Sequence, residues 1–171
     1  MPSHQIFMEE ALVEAAEALA VGEFPVGCVI VHAGQIIARG RRRQSGVYPR
    51  QRGNEVDHAE ILALRDLLGK HPEVLPRDVT VYATMEPCLM CYATLLISGV
   101  QTIVYAYEDA MGGGTNLRLD QLNPLYQAMT VSVIPHILRE KSLKLFKQFF
   151  SNRDSHYLRG TLLAEYTLAQ L

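Results

Sequence analysis

Three side chains with an affinity for divalent metals are placed where two helices are expected to begin: His58 at the start of one, Cys88 and Cys91 at the start of another. A helix N-terminus carries partial positive charge, which favours the thiolate, and a three-residue spacing puts both sulfurs on one face. A Cys-x-x-Cys pair alone is equally readable as a metal site, a thioredoxin-like dithiol or two core residues. Joined by an imidazole, the two sulfurs make a borderline-soft set suited to one zinc per chain in a tetrahedral site. Three protein ligands leave a fourth position for water, whose acidity the metal raises toward neutral pH, whereas a structural zinc normally has a fourth Cys or His. Glu60, two residues beyond His58, is a carboxylate able to take that water's proton and pass it to a leaving group.

His-x-Glu followed by Pro-Cys-x-x-Cys is the signature string of zinc nucleobase deaminases. His58-Ala59-Glu60 and Thr84-Met85-Glu86-Pro87-Cys88-Leu89-Met90-Cys91 resemble the two motifs of the cytidine deaminase superfamily. Within it, the chain is most similar to bacterial tRNA adenosine deaminases and their nucleoside and guanine deaminase relatives. The resemblance extends to an acidic first helix, to Phe24-Pro25-Val26-Gly27 and to Val104-Tyr105-Ala106-Tyr107 ahead of Gly112 to Gly114, and so to most of residues 5–150. It implies that His58, Cys88 and Cys91 hold zinc, that Glu60 shuttles protons, and that the backbone of Ala59 and the Pro87-Cys88 turn line the base pocket. It also implies a homodimer or larger homo-oligomer. At one position the chain departs from its relatives, which usually have an Asn near the end of the second strand that helps hold the base. Here Gly40 is followed by Arg41-Arg42-Arg43, and Arg42 falls at or near that place as a substrate-binding candidate. An arginine cannot accept a hydrogen bond, so this pocket reads its base differently.

These groups need a scaffold. Ile6, Met8, Leu12, Ala15, Ala16 and Leu19 recur at helical steps opposite Glu9, Glu10, Glu14 and Glu17, which predicts an amphipathic helix ending near Gly22. Val26–Val31 and Gln35–Ala38, parted by Ala33-Gly34, predict an antiparallel hairpin. A helix follows from His58, capped by Asp57 or Asn54 and stopped by Gly69. Val79–Thr84 is a strand, Pro87 opens a helix over Cys88–Ile97 that Gly99 closes, and Thr102–Tyr107 is another strand. Val131–Pro135 gives a fifth strand, Ile137–Phe150 a helix, and Thr161–Leu171 a short one. Strands alternating with helices after a hairpin predict a three-layer α/β/α architecture around a five-stranded mixed sheet. One domain over residues 1–171 is expected, with a core of about 5–150 and a helical extension over 151–171. Cys28 and the rings of Tyr105, Tyr107, Phe146, Phe149 and Phe150 are expected in the core, and the five other histidines as ordinary hydrogen-bonded or surface residues.

The 171 residues are 49% hydrophobic and 20% charged, with mean hydropathy just above zero, enough for a sizeable core without disulfides. No apolar run approaches the ~20 residues of a membrane span, and no Lys or Arg precedes Arg39, so a secretory signal head is missing and a cytoplasmic location is expected. The net charge of −2 hides an asymmetry: acids alone before residue 39, then Arg39, Arg41, Arg42, Arg43, Arg50 and Arg52. That run, with Arg139 to Lys147, could hold phosphate if the fold gathers it, or be a solvated loop. The expected function is hydrolytic deamination of a nucleobase, in tRNA as adenosine, with a free base, nucleoside or nucleotide of guanine, cytosine or adenosine type as the alternative. A zinc-stabilised partner subunit with an idle site is the more remote reading, and Glu60 argues against it, since a structural zinc needs no neighbouring acid.

Overall fold

The computed structural model describes residues 3–45 and 53–171. Five strands form one sheet in the order β2-β1-β3-β4-β5. The hairpin of β1 (Gly27–His32) and β2 (Gln35–Arg41) is antiparallel, and β1 is also antiparallel to β3 (Val79–Met85). Parallel pairing then joins β3 to β4 (Thr102–Tyr107) and β4 to the short β5 (Ser132–Ile134). The expected mixed five-stranded sheet is therefore present. Ala33 and Gly34 both lie at positive φ, 48° and 79°, the twist that a two-residue hairpin turn requires.

Side-chain alternation along the strands divides the core in two. On one face, Cys28, Ile30, Val81 and Ile103 pack against Ala63, Leu64 and Leu67 of α2 (Ala59–Lys70) and Tyr92, Leu95 and Leu96 of α3 (Leu89–Ile97). On the other, Val29, Val31, Tyr82 and Val104 meet Phe7, Met8, Ala11 and Leu12 of α1 (His4–Ala20). After a one-turn helix, α4 (Pro124–Gln127), the longer α5 (Arg139–Ser151) contributes Leu143, Phe146 and Phe149 to the first cluster and Leu145 to the second. Finally α6 (Leu162–Ala169) is capped by the Thr161 hydroxyl, which accepts from the Ala164 amide. Of the aromatic residues expected in the core, Tyr105, Tyr107, Phe146 and Phe149 are buried, whereas Phe150 is partly buried and packs against it.

Several boundaries differ from expectation for local reasons. Ile6 and Ala16 are exposed, whereas Phe7 and Glu14 are buried, so the inward stripe of α1 is rotated from the one read off the sequence. Glu14 tolerates burial because Arg39 and Arg41 of the edge strand β2 reach it, at 3.5 and 3.1 Å. Neither Asp57 nor Asn54 caps α2: Asn54 accepts from the amides of Val56 and Asp57, Asp57 pairs with Arg65, and His58 takes the N-cap place. Gly69 does not stop that helix, which runs on through Lys70.

Helices sit on the sheet at glycines. A Cβ on Gly27 would run into the backbone of α1 at Ala11 and Ala15. One on Gly40 would run into the Ala59 carbonyl oxygen and stand 2.6 Å from the Ala63 amide. Because these obstacles are backbone, a methyl at Gly40 must push the first turn of α2 off β2. Gly40→Ala is expected to cost about 1–3 kcal/mol or more in chemical denaturation and to lower zinc retention. Gly69→Ala, in the same helix with open space around it, should be neutral or stabilising by up to ~1 kcal/mol.

Candidate active site

The N-termini of α2 and α3 meet. His58 is the N-cap of the first and Cys88 of the second, with Cys91 in its first turn. Their ligand atoms lie within 4.8 Å of one another, with His58 Nδ1 at 3.6 Å from Cys88 Sγ and 3.4 Å from Cys91 Sγ. A tetrahedral zinc with Zn–S of about 2.3 Å and Zn–N of about 2.0–2.1 Å separates sulfur from nitrogen by about 3.6 Å, so the donor set fits that ion. Among the described residues this is the one such cluster. His4 bonds to the Tyr82 hydroxyl, His71 pairs with Glu73 and His136 with Glu108.

The electrostatics agree. The Cys91 hydrogen bond, helped by His58 and opposed by burial, pulls the Cys88 thiol down to about 4. Cys91 is pushed up, first by the same bond and then by burial, because two adjacent sulfurs do not both ionise without a cation between them. The hydrogen bond to Cys88 raises the His58 ring, against its burial and the nearby charge of Arg42. Cys28, fully buried beneath the site, is pushed well up by desolvation and serves as core.

Glu60, in the first turn of α2, is 3% exposed. Its Oε2 is buried without a hydrogen-bond partner. Burial pushes the carboxyl up to about 6, against its own backbone amide and the His58 charge. An orphaned carboxylate oxygen beside three metal-type donors costs stability and suits a proton acceptor near neutral pH.

A cavity of about 200 Å³ opens over these groups. His58, Glu60 and Cys88 line it together with Phe24, Arg42 and Ala59. Pro87, expected there, is not among the lining residues; its carbonyl accepts from the Gly114 amide at 2.9 Å. Sequence reasoning missed much of the wall: Asp109 and Met111 from the glycine loop, and Tyr157, Leu158 and Leu163 from the C-terminal segment. The glycine loop is held by Glu86, which accepts from the amides of Asp109 and Thr115 and from the Thr115 hydroxyl. It comes that close because Gly114 has no Cβ to strike Leu89 and Cys88, and Gly113 none to strike the Glu86 carboxylate. A wider groove of about 700 Å³ along β2 and α2 lies apart from the metal-type donors and is lined by Arg39, Arg41 and Arg65.

Within the arginine run Arg39 and Arg41 are paired, whereas Arg43 is exposed and joins them in lining the wider groove. Arg39 pairs with Glu10 and Glu14, and Arg41 with Glu14 and Glu17. Arg50 and Arg52 lie outside the described residues. On α5, Arg139 pairs with Glu108 and Lys141 with Glu9.

Residues 1–107 match the family described as the cytidine and deoxycytidylate deaminase zinc-binding region. A tRNA-specific adenosine deaminase of Streptococcus pyogenes is 32% identical over 131 residues, 76% of this chain and 69% of that protein. Among solved structures, one from a study of A-to-I editing by tRNA:A34 deaminases at the wobble position is 29% identical, with a TM-score of 0.70 over 83% of this chain and 99% of the other. A guanine deaminase from Nitrosomonas europaea, 24% identical, shares the fold with a TM-score of 0.69 over 87% of this chain and 85% of that one. Elemental analysis of the purified chain should give one zinc, and Cys88→Ala should bring the content near zero. A chelator should lower the melting temperature of the parent protein and leave that of the variant little changed.

Proposed function

Because this chain belongs to the cytidine and deoxycytidylate deaminase zinc-binding family, we propose that it is a hydrolytic nucleobase deaminase and that its relatives' substrate, adenosine in tRNA, is the first substrate to test. The observation that carries the proposal is the buried, unpartnered Oε2 of Glu60 beside His58, Cys88 and Cys91. His58, Cys88 and Cys91 would hold the zinc. When bound, zinc supplies a Lewis acid that makes water nucleophilic near neutral pH.

The chain's own residues account for the proton movements. Glu60 takes a proton from the attacking water as its oxygen bonds to the amino-bearing ring carbon. The same carboxyl protonates the ring nitrogen and then, carrying the water's second proton, the departing amine. The C–N bond breaks, ammonia leaves and a ring carbonyl remains, so one water is consumed for each ammonia released. Phe24, Leu158 and Leu163 keep the cavity apolar, which excludes competing water and strengthens the charge interactions within it.

A free base, nucleoside or nucleotide is the second reading, favoured by the pairing of Arg39 and Arg41 with the acids of α1. Self-association, a cytoplasmic location and a single domain belong to the proposal as well. Among the described residues no helix is long and apolar enough to cross a membrane. The C-terminal segment reaching into the cavity wall supports the single domain.

Glu60→Gln should keep its zinc and lose about 10²- to 10⁴-fold in ammonia release, measured beside the parent chain on bulk tRNA, bases, nucleosides and nucleotides. Full activity in that variant, or none in the parent on any of these substrates, would overturn the assignment. Salt separates the substrate readings. If tRNA is held through about three phosphates, KM rises about tenfold or more between ~50 and ~200 mM salt, whereas KM for an uncharged base hardly moves.

A further inference from the structure

Arg42 is the one member of the described arginine run drawn inside. Its side chain is 2% exposed and it forms part of the cavity wall with His58, Glu60 and Cys88. Its amide donates to the Val26 carbonyl at 2.9 Å, which fixes its backbone just past the end of β2. One nitrogen of the guanidinium is used: Nη2 lies 3.1 Å from Glu55 Oε2 and 3.4 Å from the Tyr157 hydroxyl. The group also sits over the Tyr157 ring, 5.6 Å from its centroid. Among the described residues Nε and Nη1 are buried without a hydrogen-bond partner. Glu55, the one carboxylate paired with it among the described residues, is itself 61% exposed, so solvent competes for that counter-charge.

Burying charged donors without acceptors destabilises a fold strongly, and here the orphaned donors belong to a residue whose other neighbour is a cavity. The missing partner is therefore what fills the cavity. A guanidinium offers only donors and stays ionised, so the complementary atom is an acceptor, and oxygen carrying full or partial negative charge matches it best. Given the deaminase reading above, on which this rests, we infer that Arg42 is the substrate-selecting residue and that the admitted substrate presents an oxygen to it, as a ring carbonyl or as a phosphoryl group.

Two ligand pairs, each differing at a single site, test the inference and tell the sources apart. Guanine and 2-aminopurine differ by the ring oxygen, and adenosine 5′-monophosphate and adenosine by the phosphoryl group. Each is titrated calorimetrically into zinc-loaded Glu60→Gln protein, with and without Arg42→Gln, while the parent chain and Arg42→Gln are assayed for ammonia release. In one pair the oxygen-bearing member should bind about 10- to 100-fold more tightly, and Arg42→Gln should erase the difference. In turnover the same change should appear in KM with kcat little altered, which loss of structure alone would not produce. Arg42→Lys keeps the charge without the planar fork and should fall between the two, and it carries the test if Arg42→Gln does not fold. Equal affinities within both pairs, no binding of any of the four ligands, or a difference that survives Arg42→Gln would overturn the inference. Selective binding without ammonia release would leave it standing and sink the deaminase reading instead.

Discussion

The structure depends on two helix beginnings meeting at the end of the sheet where β2 and β3 finish. Everything chemical in the molecule follows from how closely α2 and α3 approach there, because their N-caps are His58 and Cys88. A donor set has to agree to within a few tenths of an ångström, and side chains on loops would not hold that tolerance. The chain meets it by letting the first turn of α2 rest directly on strand backbone at Gly40, and by laying the glycine loop against the start of α3. Packing contacts far weaker than a coordination bond thus decide whether a coordination site exists at all.

Much of this was legible in the sequence. His58-Ala59-Glu60 and Pro87-Cys88-x-x-Cys91 carry their own geometry, since residues at a helix start have few places to point. The hairpin could be read from Ala33-Gly34, and the five strands from β-branched runs. What stayed hidden shares a physical cause: it depends on which distant segment lies opposite. Glu14 looks like one more surface acid until Arg39 and Arg41 are seen beside it. Asn54 and Asp57 look like caps, but the turn they belong to satisfies itself first. The wall residues Tyr157, Leu158 and Leu163 belong to a segment with no chemical signature of its own.

The arginines show the same lesson in charge. Successive residues along β2 alternate faces, so neighbours in one basic run meet different surroundings. Arg39 and Arg41 turn toward the acids of α1 and bind that helix to the sheet edge. Arg42, just beyond the strand end, is drawn in beneath Tyr157. A stretch that reads as one patch is divided into two mechanical ties, one interior cation and, at Arg43, one exposed charge.

The C-terminal segment has an evolutionary consequence. Residues 1–107 contain the zinc-type donors and Glu60, while Tyr157, Leu158 and Leu163 supply part of the chamber above them from the far end of the chain. One part of the chamber wall is thus encoded apart from the metal-type donors, while Phe24, Arg42 and Ala59 line it from within residues 1–107. Drift or recombination confined to the codons for residues 157–163 can recontour that side of the chamber while the donors beneath it are inherited unchanged.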